Sequence, residues 1–244
     1  MTMRDLMAAM ETIAPKDLAE EWDNVGLLVG DPDAAIDTAV VTLDITKEAI
    51  AYAKAVGAQV LVTHHPLIFS PVKCIKAPSA LHALCTSGIA AFAAHTNLDA
   101  ADGGVNDALA AAIGLTDVKV VFGGIGREGT LPEAMTPSAF AAMVAERLGG
   151  AVQLREGASL VKTVALVGGA GGDFVEDTAA DAFLTGELKH HEWLALPEHL
   201  TVVSAGHYAT ENVVVEPLCA RLREALPTLK VVAFTGRAPY ETIG

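Results

Sequence analysis

The stretch AVVTLDITKEAIAYAKAVGAQVLVTHHP, residues 39–66, decides the fold class. Its β-branched start, Ala39–Leu43, predicts a buried strand, the Ala-rich Thr46–Val56 predicts a helix, and Gln59–Thr63 predicts a second strand. Two parallel strands need a crossover connection of this kind, which is usually a helix. The stretch therefore predicts an α/β unit whose last strand ends at two adjacent histidines and a proline.

The same alternation of strands and helices continues along the chain. The other predicted helices are Ser79–Ser87, Asn106–Ile113, Pro137–Leu148, Phe174–Ala180, His190–Leu196 and Asn212–Ala225. The other predicted strands are Ile89–Ala94, Lys119–Phe122, Val161–Val167, Ala182–Leu184, Leu200–Ser204 and Lys230–Ala233. This pattern predicts two similar α/β domains with mainly parallel or mixed sheets flanked by helices. The glycine-rich segment after Phe122 marks the approximate boundary, giving domains of residues 1–120 and 121–244.

The composition excludes several classes of protein. The net charge of −14 argues against general binding to nucleic acid, which requires clusters of Lys and Arg. The chain has no uninterrupted apolar run of membrane-spanning length, and the N-terminal MTMRDLMAAMETIAP indicates an amphipathic helix rather than a secretory signal. Three scattered cysteines favour a reduced, cytoplasmic setting and disfavour a disulfide framework or a zinc–thiolate site.

Two adjacent histidines, His64 and His65, end the predicted strand Gln59–Thr63. Pro66 follows and lacks the N–H that strand pairing would need. A turn at the end of a strand can bring both imidazoles toward one crevice, where they could bind a metal ion. The alternative is that both are hydrogen-bonded polar residues that close the strand.

A second polar cluster follows the predicted strand Ile89–Ala94. Asp102 and Asp107 in this cluster suit capping duties in a polar loop before a helix. His95 and Asp99 follow the buried strand directly, and ligands of α/β proteins bind outside the carboxyl ends of such strands. These two residues are therefore candidates for a functional site.

Two further clusters lie in the second half of the chain. His207 and Glu211 are four residues apart, so on a helix they share a face and could bind one metal ion or simply pair with each other. Glu187 and His191 follow the predicted strand Ala182–Leu184 and form the fourth cluster. The glycine-rich VGGAGGDF, residues 167–174, matches no nucleotide-binding motif, which favours a tight turn over a phosphate-binding loop.

Six of the eight histidines lie at these four strand ends, each with a carboxylate nearby. Imidazole and carboxylate without thiolate suit Zn, Fe, Mn, Co or Ni. Three histidines and two carboxylates are enough to hold a pair of such ions. The convergence predicts a metal centre more strongly than any single cluster does.

The phrases EEWDNVGLLVG, THHP, HTNLDAADGGVND, DAFLTGELKHH and GHYATE, in this order over residues 20–211, resemble the GTP cyclohydrolase I type 2 family. This family is also called the Nif-three-like dinuclear-metal family, and the chain resembles its short form. The resemblance implies a toroidal homohexamer and a dinuclear metal site in the crevice between two α/β domains. The implied metal ligands are His64, His65, Asp99, His207 and Glu211. The resemblance also implies that His95, Glu187 and His191 lie beside the ligands.

Two hypotheses of function follow. The first is a metal-dependent hydrolase that acts on a nucleotide or another phosphate-containing small molecule, with two divalent metal ions per subunit. In it, His95, Glu187 and His191 move protons or hold the substrate. The alternative is a non-catalytic metal-binding scaffold, with a role in metal handling or protein interaction. A single structural zinc is disfavoured, because such sites have four ligands and are usually rich in thiolates.

Overall fold

The computed structural model describes residues 1–240 and has an α/β fold with two compact units. The first unit comprises Met1–Gly104 and Val215–Arg237, and the second comprises Val105–Val214 with the described residues after Arg237. This division differs from the predicted domains 1–120 and 121–244. The reason is that the last described strand, Lys230–Ala233, pairs within the first sheet, while the strands of residues 116–204 pair within the second.

The strands of the described residues can be given in chain order. They are β1 (Gly26–Val29), β2 (Thr38–Thr42), β3 (Val60–Thr63), β4 (Ala90–Ala93), β5 (Thr116–Val121), β6 (Gly126–Met135), β7 (Gln153–Arg155), β8 (Val161–Val167), β9 (Ala182–Thr185), β10 (Thr201–Ser204) and β11 (Lys230–Ala233). They form two mixed sheets, one in each unit, with the orders β1-β4-β3-β2-β11 and β5-β6-β8-β9-β10-β7. The predicted α/β fold class with mixed sheets is confirmed.

The α-helices of the described residues are α1 (Met3–Ile13), α2 (Lys47–Ala55), α3 (Ala80–Cys85), α4 (Thr96–Ala100), α5 (Val105–Ala112), α6 (Pro137–Leu148), α7 (His190–Ala195), α8 (His207–Glu211) and α9 (Val215–Ala225). Short 3-10 turns cover Lys16–Leu18, Phe122–Gly124, Gly172–Asp177 and Asn212–Val214. The predicted helix Phe174–Ala180 is therefore wrong, because this segment forms a 3-10 turn that ends at Asp177. None of the described helices has the length and apolar content that crossing a bilayer requires.

In the first sheet, β11, β2, β3 and β4 run parallel, and β1 pairs antiparallel with β4. The residues of β2, β3 and β4 are all buried, as expected for parallel strands that are covered on both faces. The helix between β2 and β3, α2, is capped by the preceding residue Thr46, whose Oγ1 accepts a hydrogen bond from the Ala49 N–H at 3.1 Å. The opening stretch of sequence therefore folds as the predicted parallel unit.

In the second sheet, β8, β9 and β10 run parallel. β6 pairs antiparallel with β8 and with β5, and β7 pairs antiparallel with β10. Its core is a cluster of aliphatic side chains around Phe140 from α6 and the buried faces of β8 and β9. α6 has the residue types that begin and end a helix, with Thr136 as N-cap, Pro137 in the first turn and Gly149 at φ 72° as C-cap. Each sheet thus has adjacent parallel strands whose carboxyl ends lie at one edge.

Asp181 joins the start of β9 to the start of β8. Its Oδ2 accepts hydrogen bonds from the Lys162 N–H at 3.0 Å, the Thr163 N–H at 2.8 Å and the Thr163 hydroxyl at 2.8 Å. Partial burial alone would raise the pKa of Asp181, but these hydrogen bonds outweigh it and hold the pKa below its ordinary value of 3.8. The folded state therefore favours the ionised carboxylate.

Replacing Asp181 by alanine should lower the free energy of unfolding by roughly 1–3 kcal/mol at pH 7, because the backbone donors of Lys162 and Thr163 lose their charged acceptor. The lowered pKa means that this contribution is fully present above pH 3.8 and is lost as the pH falls through the lower pKa of the folded state. Urea denaturation at several pH values measures both effects. Asp177→Ala, at an exposed position, is the matched control, and equal losses for the two variants would contradict the assignment.

Candidate metal centre

The first part of the centre lies at the carboxyl ends of β3 and β4. These strands are parallel neighbours, with Thr63 opposite Ala93, so the residues that follow them emerge at the same edge of the sheet. His64 and His65 follow β3, and His95 follows β4 as the residue before α4. The sheet therefore brings His95 next to the adjacent pair His64 and His65, which lies about 30 residues earlier in the sequence.

Each of these three histidines uses its Nδ1 atom for a hydrogen bond to an oxygen. His64 Nδ1 lies 3.1 Å from the Ala94 carbonyl oxygen, and because a carbonyl can only accept, this nitrogen carries the proton. His65 Nδ1 lies 2.7 Å from Asp44 Oδ1, and His95 Nδ1 lies 2.9 Å from Asp23 Oδ1. Protonated Nδ1 atoms make Nε2 the basic nitrogen of each ring. Histidines that bind metals are held by such hydrogen bonds.

The three imidazoles form a compact group. One nitrogen atom from each of His64, His65 and His95 lies within 4.8 Å of the others. The centroids of the rings are 4.8 Å apart for His64 and His65, 5.1 Å for His64 and His95, and 5.7 Å for His65 and His95. His64 is buried and the other two are half-buried. The nitrogen donors, their spacing and their orientation fit a transition-metal ion.

Asp99 supplies a carboxylate to this group. It lies in α4, one turn after His95, and its Oδ1 atom is 3.7 Å from His64 Nε2. The side chain of Asp99 is 15% exposed, so this carboxylate is largely removed from water. A buried carboxylate beside an imidazole is stable when the pair binds a cation or when the two groups pair with each other.

Burial is the largest influence on the pKa of His95 and lowers it, and the neighbouring imidazole of His64 acts in the same direction. The hydrogen bond to Asp23 opposes this effect without reversing it. His95 is therefore neutral at pH 7, with a proton on Nδ1 and a lone pair on Nε2. A neutral imidazole can bind a metal or accept a proton.

His207 and Glu211 form the corresponding part of the second unit. Both lie on the single turn of α8, which follows β10, and His207 Nε2 is 3.0 Å from Glu211 Oε2. His207 Nδ1 is 3.2 Å from Glu187 Oε1, which follows β9. His207 and Glu211 therefore share one face of the helix, as their spacing of four residues indicated. His207 also repeats the arrangement of the three histidines of the first unit, with Nδ1 held by an oxygen.

Two glycines allow the loops of the second unit to pack against this pair. Gly169 has φ 64°, and a Cβ atom at this position would collide with the Glu211 carboxylate. A Cβ atom at Gly186 would lie 2.8 Å from His207 Cα, which is too close. The glycine-rich segment after β8 therefore serves close packing around Glu211, in agreement with a tight turn.

The remaining predicted residue, His191, lies on α7 and is exposed. It lines a cavity of about 300 Å³ together with the acidic side chains Asp173, Glu176 and Glu192. The structure thus surrounds His191 with acidic side chains. Its predicted place beside the metal ligands stays a prediction.

Two residues have a larger part in the site than the sequence indicated. Asp23 and Asp44 suit turn or capping duties in the sequence, but they hold His95 and His65 by their Nδ1 atoms. Asp23 Oδ2 also accepts hydrogen bonds from the Thr96 N–H and hydroxyl. The only sequence signal for these roles is that Asp44 follows a predicted strand and that Asp23 lies in the EEWDNVGLLVG phrase.

The cysteines do not contribute to the group of histidines. Cys74 and Cys85 are exposed thiols, and Cys219 is buried in α9. Burial raises the pKa of Cys219 to about 11, so this thiol is protonated at neutral pH. The donors available around His64 are nitrogen and oxygen, as predicted.

Comparisons with known proteins agree with the sequence resemblance. The family model described as Duf34/NIF3 (NGG1p interacting factor 3) matches residues 1–239. A Streptomyces coelicolor protein named GTP cyclohydrolase 1 type 2 homolog is 35% identical over 231 residues, covering 86% of this chain and 81% of the relative. A Clostridium perfringens protein of the same name is 32% identical over the full length of both chains. The crystal structure of a hypothetical Staphylococcus aureus protein has a TM-score of 0.93 at 28% identity, covering 100% of this chain and 99% of the other.

Proposed function

Because the chain belongs to the Duf34/NIF3 family, we propose that it is a metal-dependent hydrolase with a dinuclear centre that acts on a nucleotide or another phosphate-containing small molecule. The observation that carries the proposal is the set of Nδ1 hydrogen bonds of His64, His65, His95 and His207. In His64, His65 and His95 these bonds leave Nε2 as the basic atom of the ring, while His207 has Nδ1 beside Glu187 and Nε2 beside Glu211. Histidines that bind metals almost always have the other ring nitrogen held by an oxygen in this way, and the same kind of bond fixes His95 beside them.

In this proposal, five residues hold two divalent ions: His64, His65, Asp99, His207 and Glu211. The assignment is supported by the family resemblance, by the burial of His64 and Glu211, and by the low exposure of the Asp99 side chain, 15%. Adjacent histidines suit two ions, since each ring of the pair His64 and His65 can serve a different one. The mixed imidazole and carboxylate donors suit Zn, Fe, Mn, Co or Ni.

A bound divalent ion lowers the pKa of a water molecule and offsets the charge of a phosphate group. The protein must then move protons and orient the substrate. His95 is suited to accept a proton at Nε2, because Asp23 fixes its ring and stabilises the protonated form. Glu187 orients the His207 ring by its contact with His207 Nδ1. His191 is proposed to contact the substrate.

The proposal predicts that protein loaded with metal hydrolyses GTP or another nucleotide, and that His95→Gln lowers kcat by about 100-fold or more without changing the metal content. This factor is typical of losing a general base. Turnover is measured by phosphate release and by chromatography of the products, and metal content is measured by elemental analysis.

His199→Gln is the matched control, because His199 is exposed and lies outside the described site. If the metal-loaded protein retains its ions but turns over none of the nucleotides or phosphoesters, the proposed hydrolase activity is contradicted. The non-catalytic metal-binding scaffold would then take its place. A rate for His95→Gln equal to the wild-type rate would remove His95 from the mechanism.

The proposal also includes the properties that the family resemblance implies. These are a toroidal homohexamer, a cytoplasmic setting and a nucleotide or phosphate ligand. Three unpaired thiols support a reducing compartment. The net charge of −14 supports a need for metal ions beside any phosphate group.

A further inference from the structure

Two large aromatic side chains, Trp22 and Phe69, stand exposed beside the histidine group of the first unit. Trp22 is 58% exposed and Phe69 is 50% exposed. The centroids of their rings are 5.7 Å apart, and the ring planes are tilted by 50°. Side chains of this size are normally buried for most of their area, so two in contact with each other and with water mark a surface for binding.

The aromatic pair is part of the same structure that holds the histidines. Trp22 precedes Asp23, which binds His95 Nδ1 and the Thr96 N–H. Asn24 Nδ2 donates a hydrogen bond of 2.5 Å to the Ile68 carbonyl, one residue before Phe69. The segments that carry the two rings are therefore fastened to each other and to the loop after β4. Rings that are already held in place lose little conformational entropy when a ligand binds.

The pair also contacts His95. The centroid of the His95 ring lies 6.3 Å from that of Trp22 and 6.2 Å from that of Phe69, and both contacts are edge-on. A flat ring that packs on Trp22 or Phe69 would therefore lie next to the imidazole to which we assign proton transfer. The aromatic surface and the nitrogen donors form one continuous surface of the first unit.

We propose that Trp22 and Phe69 form a stacking subsite for the heteroaromatic base of a nucleotide. This inference rests on the proposed function, in which metal ions hold the phosphate groups. Most of this acidic protein repels phosphate, so a nucleotide gains binding free energy from metal ions and from an uncharged surface that receives its base. Aromatic side chains provide such an uncharged surface, because any nucleotide base can stack on them.

The test uses guanosine, which has the base but no phosphate. In a Trp193→Phe protein, Trp22 is the sole tryptophan, and guanosine should quench its fluorescence. In calorimetric titrations of the metal-loaded protein, Trp22→Leu and Phe69→Leu should each weaken guanosine binding about tenfold, as expected for the loss of one stacking contact. Binding of tripolyphosphate, which has no ring, should change by less than about twofold.

Leu194→Ala is the matched control, because Leu194 is 76% exposed and apolar but lies on α7 of the second unit. Trp22→Phe, which keeps a ring, should retain most of the affinity for guanosine. Elemental analysis of every variant should give the wild-type metal content.

Three results would overturn the subsite. The first is that guanosine at millimolar concentration does not quench Trp22 fluorescence. The second is that Trp22→Leu and Phe69→Leu bind guanosine as tightly as the wild type, and the third is that acrylamide cannot reach Trp22 because a second copy of the chain covers it. If the protein binds guanosine through Trp22 but retains no metal, the proposed function fails and the subsite stands. If metal is retained and guanosine does not bind, only the subsite fails.

Discussion

Replacing His65 by alanine should lower the affinity of the protein for divalent metal by more than about 100-fold, because the loss of a ligand costs more than the 10–100-fold typical of losing its hydrogen-bond partner. His65 is the best position for this change. Its side chain is 25% exposed, whereas that of His64 is 1% exposed, so its removal leaves the core intact. Metal affinity is measured by competition with a chelator of known affinity.

A graded variant distinguishes ligation from a general structural effect. Asp44→Asn keeps the His65 ring but removes the charged acceptor at its Nδ1 atom, so affinity should fall by about 10–100-fold. His199→Ala, on the surface of the second unit, should leave affinity unchanged. If the metal-free forms of these variants unfold at the wild-type temperature and yet all bind metal equally well, His65 is not a ligand.

Replacing Asp107 by alanine should lower the free energy of unfolding of the second unit by about 3–5 kcal/mol, the usual cost of leaving a buried charge without its partner. The side chain of Arg127 on β6 is 1% exposed. Its Nε and Nη2 atoms donate to the two carboxylate oxygens of Asp107, at 2.6 Å and 3.1 Å. Arg127 Nη1 also donates to the carbonyls of Gly124 and Gly126, which cannot neutralise the charge.

Each unit contains one tryptophan, which allows the effect to be located. In a Trp22→Phe background, Trp193 reports on urea denaturation of the second unit, and this transition should shift strongly in Asp107→Ala. Glu133→Gln on the same strand is the exposed control. The pair of changes Asp107→Leu and Arg127→Met should recover most of the loss, since it removes both charges together. A loss below about 1 kcal/mol in Asp107→Ala would mean that the ion pair is not important for stability.

Local chemistry explains which elements were predictable. α6 has the predicted bounds, Pro137–Leu148, because its N-cap, its first-turn proline and its C-cap glycine all lie in the sequence itself. The strand β8 also has the predicted bounds, because four of its seven residues, in VKTVALV, are β-branched. Elements of this kind need no information from distant parts of the chain.

The segment Gly126–Met135 shows the opposite case. Its sequence, GREGTLPEAM, is polar and contains glycine and proline, and its first residues belong to the glycine-rich segment after Phe122 that marked the predicted domain boundary. In the structure it is the strand β6, which pairs with β5 on one side and β8 on the other. Its central position depends on pairing with distant strands and on Asp107, which neutralises its buried arginine. No local pattern carries that information.

The candidate site was also predictable only in part. The sequence identified His64, His65, His95 and Asp99 because polar residues follow buried strands, and the parallel pair β3 and β4 brings them together. It did not assign partners to the histidines. Asp23 is 72 residues from His95, and short carboxylates in loops are also common in turns, so only the fold distinguishes the two roles.

The central claim is that this protein holds two transition-metal ions on imidazole and carboxylate donors. Elemental analysis tests it most directly, on protein that has been stripped with a chelator, equilibrated in turn with Zn, Mn, Fe, Co or Ni, and freed of unbound ion. We expect two tightly held ions per chain for at least one of these metals. Retention of no ion with any of the five would contradict the metal centre, and a single ion per chain would contradict its dinuclear character.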